Sequence, residues 1–176
     1  AAVGVGIVHL IAPDLRMGWG LAPLRKYLDA GCKVGFGTTG SASNDGCNEL
    51  GDLRVAALAH RDMHQPPQTW PSARELLRLA TRGSAACLGR HDLGAIAPGM
   101  AADLAAWDMT TVDRVGVHDA VVGLVLGGLS DRAELVMVNG DIVVRDGHCT
   151  TVDEREVTTK ARDAFPVRPT PMSRRR

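Results

Sequence analysis

The chain predicts an α/β fold: parallel strand–helix units first, then a small antiparallel β region, then a closing helix. Three observations carry this expectation. Apolar runs at residues 5–11 and 34–37 flank a helical stretch, the spacing of a parallel βαβ unit. From Leu93 onward the pattern changes to short apolar runs broken by turn signals, among them Asn139-Gly140 and Asp146-Gly147. The composition is 45% hydrophobic with only 3% aromatic residues and 20 Gly, so its apolar content is mostly Ala, Val and Leu, which suits helices packed on a buried sheet.

Taken in order, residues 5–11 read as a short buried strand ending near His9, with a loop from Ala12 to Gly20. A helix is expected from Ala22, with Pro23 in its first turn, Leu24, Tyr27 and Leu28 on one face, and Gly31 as its stop. The strand at 34–37 delivers its carboxyl end into Thr38-Thr39-Gly40-Ser41-Ala42-Ser43-Asn44-Asp45, the position where parallel α/β proteins place their chemistry. Residues 49–64 have helical character, with Leu50, Leu53, Ala57 and Arg61 along one stripe, and Gln65-Pro66-Pro67-Gln68 ends them. Ser72-Ala73-Arg74-Glu75 is a capping box opening a helix that carries Leu76, Leu77, Ala80 and Leu88 and stops at Gly89.

Pro98-Gly99 marks a turn and residues 102–107 a strand, while 120–126 fit strand or helix equally well. Residues 135–138 and 141–145 flank Asn139-Gly140 as a hairpin. Thr151 to Glu154 cap a last short helix, and the Pro- and Arg-rich segment 166–176, ending Arg174-Arg175-Arg176, is expected to be a flexible tail. The expected division is 1–92, 93–150, 151–165 and 166–176. Two or three βα units cannot close an eight-stranded barrel. The chain opens on Ala1 almost directly into a strand, and it is expected to be the back part of something longer.

Charge excludes some function classes. Twenty Lys and Arg balance 20 Asp and Glu, so no global field draws nucleic acid or an anionic membrane. No apolar run approaches the ~20 residues of a membrane span, and the first residues lack a signal-peptide layout. Cys32, Cys47, Cys87 and Cys149 form no CxxC pair; they read as reduced thiols of a cytoplasmic protein, mostly small core residues. His60 and His64, four apart without an intervening Glu, read as a solvated helix face, and His91, His118 and His148 as surface residues at turns. Asp45 reads as a loop or cap residue and Asp14 as a turn residue.

The segment Gly37 to Asp45 resembles the last barrel strand and loop of amidohydrolase-superfamily enzymes, commonly Gly-Thr-Asp-Gly, and its Ser-Ala-Ser-Asn-Asp is similar to the 8-oxoguanine deaminase and atrazine hydrolase branch. His9 with Arg16-Met17-Gly18-Trp19-Gly20-Leu21-Ala22-Pro23 resembles the preceding strand and loop of that branch. Leu79 to Ala86, Leu93 to Leu104, and Val136 to Gly140 with Val143 to Gly147 resemble its passage out of the barrel and its closing β-sandwich. The resemblance implies the last βα units of a (β/α)8 TIM-like barrel, part of a β-sandwich and a C-terminal helix.

It also implies a zinc-dependent aminohydrolase that replaces an amine on a purine- or triazine-like ring, with metal ligands on a His-x-His and a strand-end Asp. No His-x-His occurs in the chain, and Thr39 stands at the position of that Asp, so no catalytic set is intact and stable zinc binding by this chain alone is not expected. His9, Arg16, Ser41, Asn44 and Asp45 are the substrate-pocket candidates that the resemblance places. The loop Leu10-Ile11-Ala12-Pro13-Asp14 replaces the family's usual Cys-Pro-Ser-Ser-Asn. Expected partners are a small heterocycle and either a chain bearing the rest of the barrel or a second copy; a non-catalytic ligand-binding or partner subunit is the alternative.

Overall fold

A computed structural model describes residues 4–127 and 132–165. The expected tail at 166–176 lies outside the described residues. Strands β1 (Gly6–His9) and β2 (Lys33–Phe36) pair in parallel, with Gly6 opposite Lys33 and His9 opposite Phe36. Their crossover holds two helices, α1 (Ile11–Arg16) and α2 (Leu24–Asp29). The first of these corrects the end of the expected strand and the start of the expected loop at 12–20: Ile11 and Pro13 turn inward and are buried, and that burial favours a helical turn over a solvated loop. Gly31 ends the crossover at φ 68, a conformation that favours glycine.

Helix α3 (Glu49–Ala59) is capped by Asn48, whose side chain accepts from the Gly51 amide at 3.1 Å. Leu50, Leu53, Ala56 and Ala57 are its buried stripe. The helix stops at His60 rather than running to His64, and Arg61 lies beyond it, its guanidinium 5.5 Å from the Trp70 ring centroid. A 3-10 turn, Pro67–Thr69, follows.

Helix α4 (Ala73–Arg78) continues through a π-helical turn, Leu79–Gly83, into α5 (Ser84–Cys87). Ser72 Oγ accepts from the Glu75 amide at 3.1 Å, as a capping box requires, but the Glu75 carboxylate accepts from Arg25 at 2.9 Å instead of closing the box. The π turn also shifts the helix face. Leu76 stays buried, whereas Leu88, expected on the same stripe, is exposed and Ala85 takes the inward position.

The close approach of this helix to β2 depends on glycine. A Cβ at Gly83 would sit 2.1 Å from the Val34 carbonyl oxygen, and one at Gly35 would sit 2.6 Å from Ser84 Cα. Ser84 Oγ then accepts from the Phe36 amide and donates to the Phe36 carbonyl, both at 3.0 Å. A side-chain hydroxyl thus satisfies strand groups that would otherwise be bare.

The remaining strands form one antiparallel sheet in the order β3 (Leu104–Ala106), β4 (Leu135–Val138), β5 (Asp141–Arg145), β6 (His148–Cys149). Asn139 and Gly140, at φ 50 and 91, make the expected hairpin turn, and Asp146 and Gly147 at φ 52 and 71 make the next. The ambiguous segment is a helix, α6 (Ala120–Leu126), because Asp119 accepts from the Val121 and Val122 amides and caps it. It packs on α3 and α4, with Val125 fully buried. Arg54 of α3 donates to the Val125 and Gly127 carbonyls at its far end.

Ile11, Leu24, Val34, Phe36, Leu50, Leu53, Leu76 and Val125 form one core. Each large member contributes about 1.5–3 kcal/mol by burial. Helix α7 (Glu154–Ala164) buries nothing and is tied down at its start, where Glu154 pairs with Arg132 and His148 and accepts from the Cys149 amide. All four cysteines are free, but Cys47 is exposed and Cys32, Cys87 and Cys149 only half-buried, so they are not the core residues that the composition suggested.

Candidate functional site

Parallel pairing brings the carboxyl ends of β1 and β2 side by side, and the Gly37 amide donates to the His9 carbonyl at 3.2 Å. Two loops leave from these ends. In the second, Thr39 is at φ 58, a left-handed conformation that costs a β-branched residue about 1–2 kcal/mol. Its Oγ1 lies 2.8 Å from Ser43 Oγ, and the Ser43 and Asn44 amides both donate to the Gly40 carbonyl at 3.1 Å. The loop is therefore closed on itself, with the Thr39 hydroxyl engaged.

The five pocket candidates separate into two groups. Arg16, the last residue of α1, forms an ion pair with Asp45 of the second loop, both substantially exposed, and Ser41 of that loop is also exposed. Asn44 and His9 instead point inward. Asn44 is buried and donates to Asp52 of α3 at 2.8 Å. Burial raises the Asp52 carboxyl, and the Asn44 hydrogen bond works against that rise. Its neighbour Glu49 is pushed up to about 7, by burial first and the Asp52 charge second. Neither carboxyl stands out in the sequence, where both read as ordinary helix residues.

His9 is 3% exposed and sits under the loops. Its Nε2 lies 2.9 Å from His60 Nε2, its Nδ1 lies 4.0 Å from Asp14 Oδ2, and its ring packs 5.2 Å from Phe36. His60 is thus not on a solvated face. It caps α3 and turns into the protein, where burial and then the neighbouring His9 push it down to about 4. Burial lowers His9 as well. Residue spacing along a helix could not reveal this contact, because it joins positions from separate elements. His64, His91, His118 and His148 are exposed, as expected for surface residues.

Behind His60 a cleft of about 680 Å³ opens between α2 and the segment after α3, lined in part by Pro23, Lys26, His60, Arg61 and Trp70. Cys47 donates towards the Asn44 carbonyl at 3.2 Å, within the same loop. Among the described residues no three His, Cys, Asp or Glu side chains gather where they could hold a metal ion. The donor set also argues against a zinc site built from these residues. The Thr39 hydroxyl is engaged by Ser43, His9 Nε2 by His60, and Asp45 by Arg16. Among the described residues no helix is long and apolar enough to cross a membrane.

Parallel strands opening on two catalytic-type loops, with an antiparallel sheet appended, place the chain among the α/β proteins whose sites lie at strand ends. Residues 1–147 match the amidohydrolase family, and the chain belongs to that family. It is 35% identical over 161 residues to a 5-methylthioadenosine/S-adenosylhomocysteine deaminase of Pelotomaculum thermopropionicum, covering 92% of this chain and 37% of the relative. It is 37% identical over 161 residues to the 8-oxoguanine deaminase of Pseudomonas aeruginosa, covering 92% and 35%.

Among solved structures it is similar to the zinc complex of the atrazine chlorohydrolase TrzN from Arthrobacter aurescens TC1, at 61% identity and a TM-score of 0.89, over 94% of this chain and 37% of that one. The chain therefore spans little more than a third of the length of the proteins it matches. Zinc is bound in the TrzN structure and in that of a similar adenosine deaminase from Xanthomonas campestris.

Proposed function

We propose that this chain supplies two strand-end loops to a zinc-dependent hydrolase that replaces an amino group on a purine- or triazine-like ring, and that by itself it is inactive. The observation that carries this reading is the end of β2. The loop keeps its family-like sequence and is bridged to the loop after β1 by Arg16–Asp45, yet it presents Thr39 with an engaged hydroxyl. A threonine has no carboxylate to accept a proton near neutral pH. The metal and the base must then come from polypeptide outside these residues.

Support for the ring substrate is the naming of the relatives, which are deaminases and a triazine hydrolase. In the reaction proposed, water adds to the ring carbon and ammonia leaves. This chain's residues hold the loops together and shape the entrance. A two-stranded parallel sheet also leaves one edge of β1 without a partner strand among the described residues, beside the exposed Val5 and Val8. Such an edge calls for a partner bearing further strands, or for a second copy.

The test is ammonia release from 8-oxoguanine, guanine and cytosine by the purified chain with zinc. None is expected above a metal-free control, and clear zinc-dependent release would overturn the reading. A second reading, a binding subunit that takes up a ring compound without zinc, is favoured by the ligand-sized cleft behind His60. Calorimetric titration of the same compounds into zinc-free protein separates the two readings.

A further inference from the structure

The contact between His9 and His60 contains an ambiguity that chemistry can resolve. Two imidazole nitrogens 2.9 Å apart must share one proton, since two lone pairs repel and two N–H groups collide. With both rings neutral there are two arrangements. Either His60 donates through Nε2–H and His9 carries its proton on Nδ1, or His9 donates through Nε2–H and leaves Nδ1 bare.

The surroundings of His9 Nδ1 distinguish them. That atom is buried with no hydrogen-bond partner among the described residues, and the only carboxylate shown facing it is Asp14, at 4.0 Å. A bare Nδ1 would turn a buried lone pair toward a negative charge. A protonated Nδ1 turns an N–H dipole toward it, in a setting where water screens little.

We infer that Asp14 fixes His9 in its Nδ1–H form, so that His60 is the donor to His9, and that the relay Asp14–His9–His60 is a positioning device beneath the two loops. The order of the relay follows the elements. Asp14 belongs to α1, His9 ends β1, and His60 ends α3, so one proton arrangement ties three elements at one point. The His9 ring is also held against Phe36, which ends β2. Just beyond α1's Asp14 lies Arg16, whose ion pair with Asp45 spans the loops. His60 in turn lines the cleft behind, so a molecule in that cleft would meet the far end of the relay.

The positioning role rests on the proposed reading of the strand ends as the site, whereas the proton arrangement does not. Long-range 15N–1H correlation spectra of the 15N-labelled chain at pH 7.5 read ring tautomers directly. The expected result is His9 protonated at Nδ1 and unprotonated at Nε2, with His60 protonated at Nε2. The opposite pair of tautomers, or fast exchange between the two, overturns the inference.

Two variants extend the test. Asp14→Asn should remove the bias and give mixed tautomers at His9; unchanged tautomers there would show that Asp14 does not set them. His60→Gln keeps a donor and should melt closer to the parent chain than His60→Met, which keeps none. Equal melting of the two would overturn the donor role. Absence of ring-amine hydrolysis in any assembled enzyme would refute the proposed function and leave the tautomer result standing.

Discussion

Two half-buried titratable groups give the stability of this protein opposing responses to pH. His60 is pushed from 6.5 down to about 4, and Glu49 from 4.5 up to about 7. At about 1.4 kcal/mol per pH unit, each corresponds to about 3 kcal/mol between the two ends of its window. The signs differ. For His60 the folded state prefers the neutral ring, so its contribution is full above pH 6.5 and is lost as pH falls toward about 4. For Glu49 the folded state prefers the neutral acid, so nothing is lost below pH 4.5 and the cost grows as pH rises toward about 7. Between pH 4.5 and 6.5 the two slopes oppose, and the parent chain should be nearly flat. His9, lowered by burial, adds to the first limb and Asp52, raised by burial, to the second.

Glu49→Gln should therefore become more stable as pH rises from 4.5 to 6.5, by about 2–3 kcal/mol. His60→Gln should lose stability over the same interval, with Asp52 adding to the loss and His9 opposing it. Urea midpoints followed by circular dichroism at four pH values across this interval measure both. Parallel pH slopes in the two variants would refute the reasoning, since it requires slopes of opposite sign.

Other expected outcomes test single contacts. Ser84→Ala removes the only side chain shown bonding both the Phe36 amide and carbonyl, and should cost about 1–3 kcal/mol in urea unfolding. Gly83→Ala forces a Cβ against the Val34 carbonyl and should lower the melting temperature far more than an ordinary helix substitution; an unchanged temperature would show that the helix can move away. Thr39→Gly relieves the left-handed backbone but loses the hydrogen bond to Ser43 and frees the unfolded chain, so these terms should largely cancel and urea unfolding should change by less than about 1 kcal/mol. Thr39→Asp should gain no stoichiometric zinc after dialysis, measured by elemental analysis, because no ligand set surrounds it among the described residues.

Much of the architecture was legible in the sequence because it is local. Periodicity marked β1, β2 and the buried stripe of α3, while Asn139-Gly140 and Ser72 specify their turn and cap through groups within a few residues. The loop from Gly37 to Asp45 could be placed at a strand end for the same reason, and its family resemblance was carried by the letters alone.

What only tertiary structure decided are the interactions between distant positions. His60 looks like a surface residue until α3 is laid against the end of β1, where it meets His9. Asn44 turns away from the loop surface because Asp52 is buried beneath it. Glu49 is pushed up because folding removes water from it and sets it beside Asp52. The segment 120–126 fits two patterns equally, and becomes helix where Asp119 caps it and Val125 reaches the core. Sequence determines which groups are available and how each short stretch bends. Burial and long-range proximity determine which of those groups keep their ordinary chemistry, and these exist only once the chain is packed.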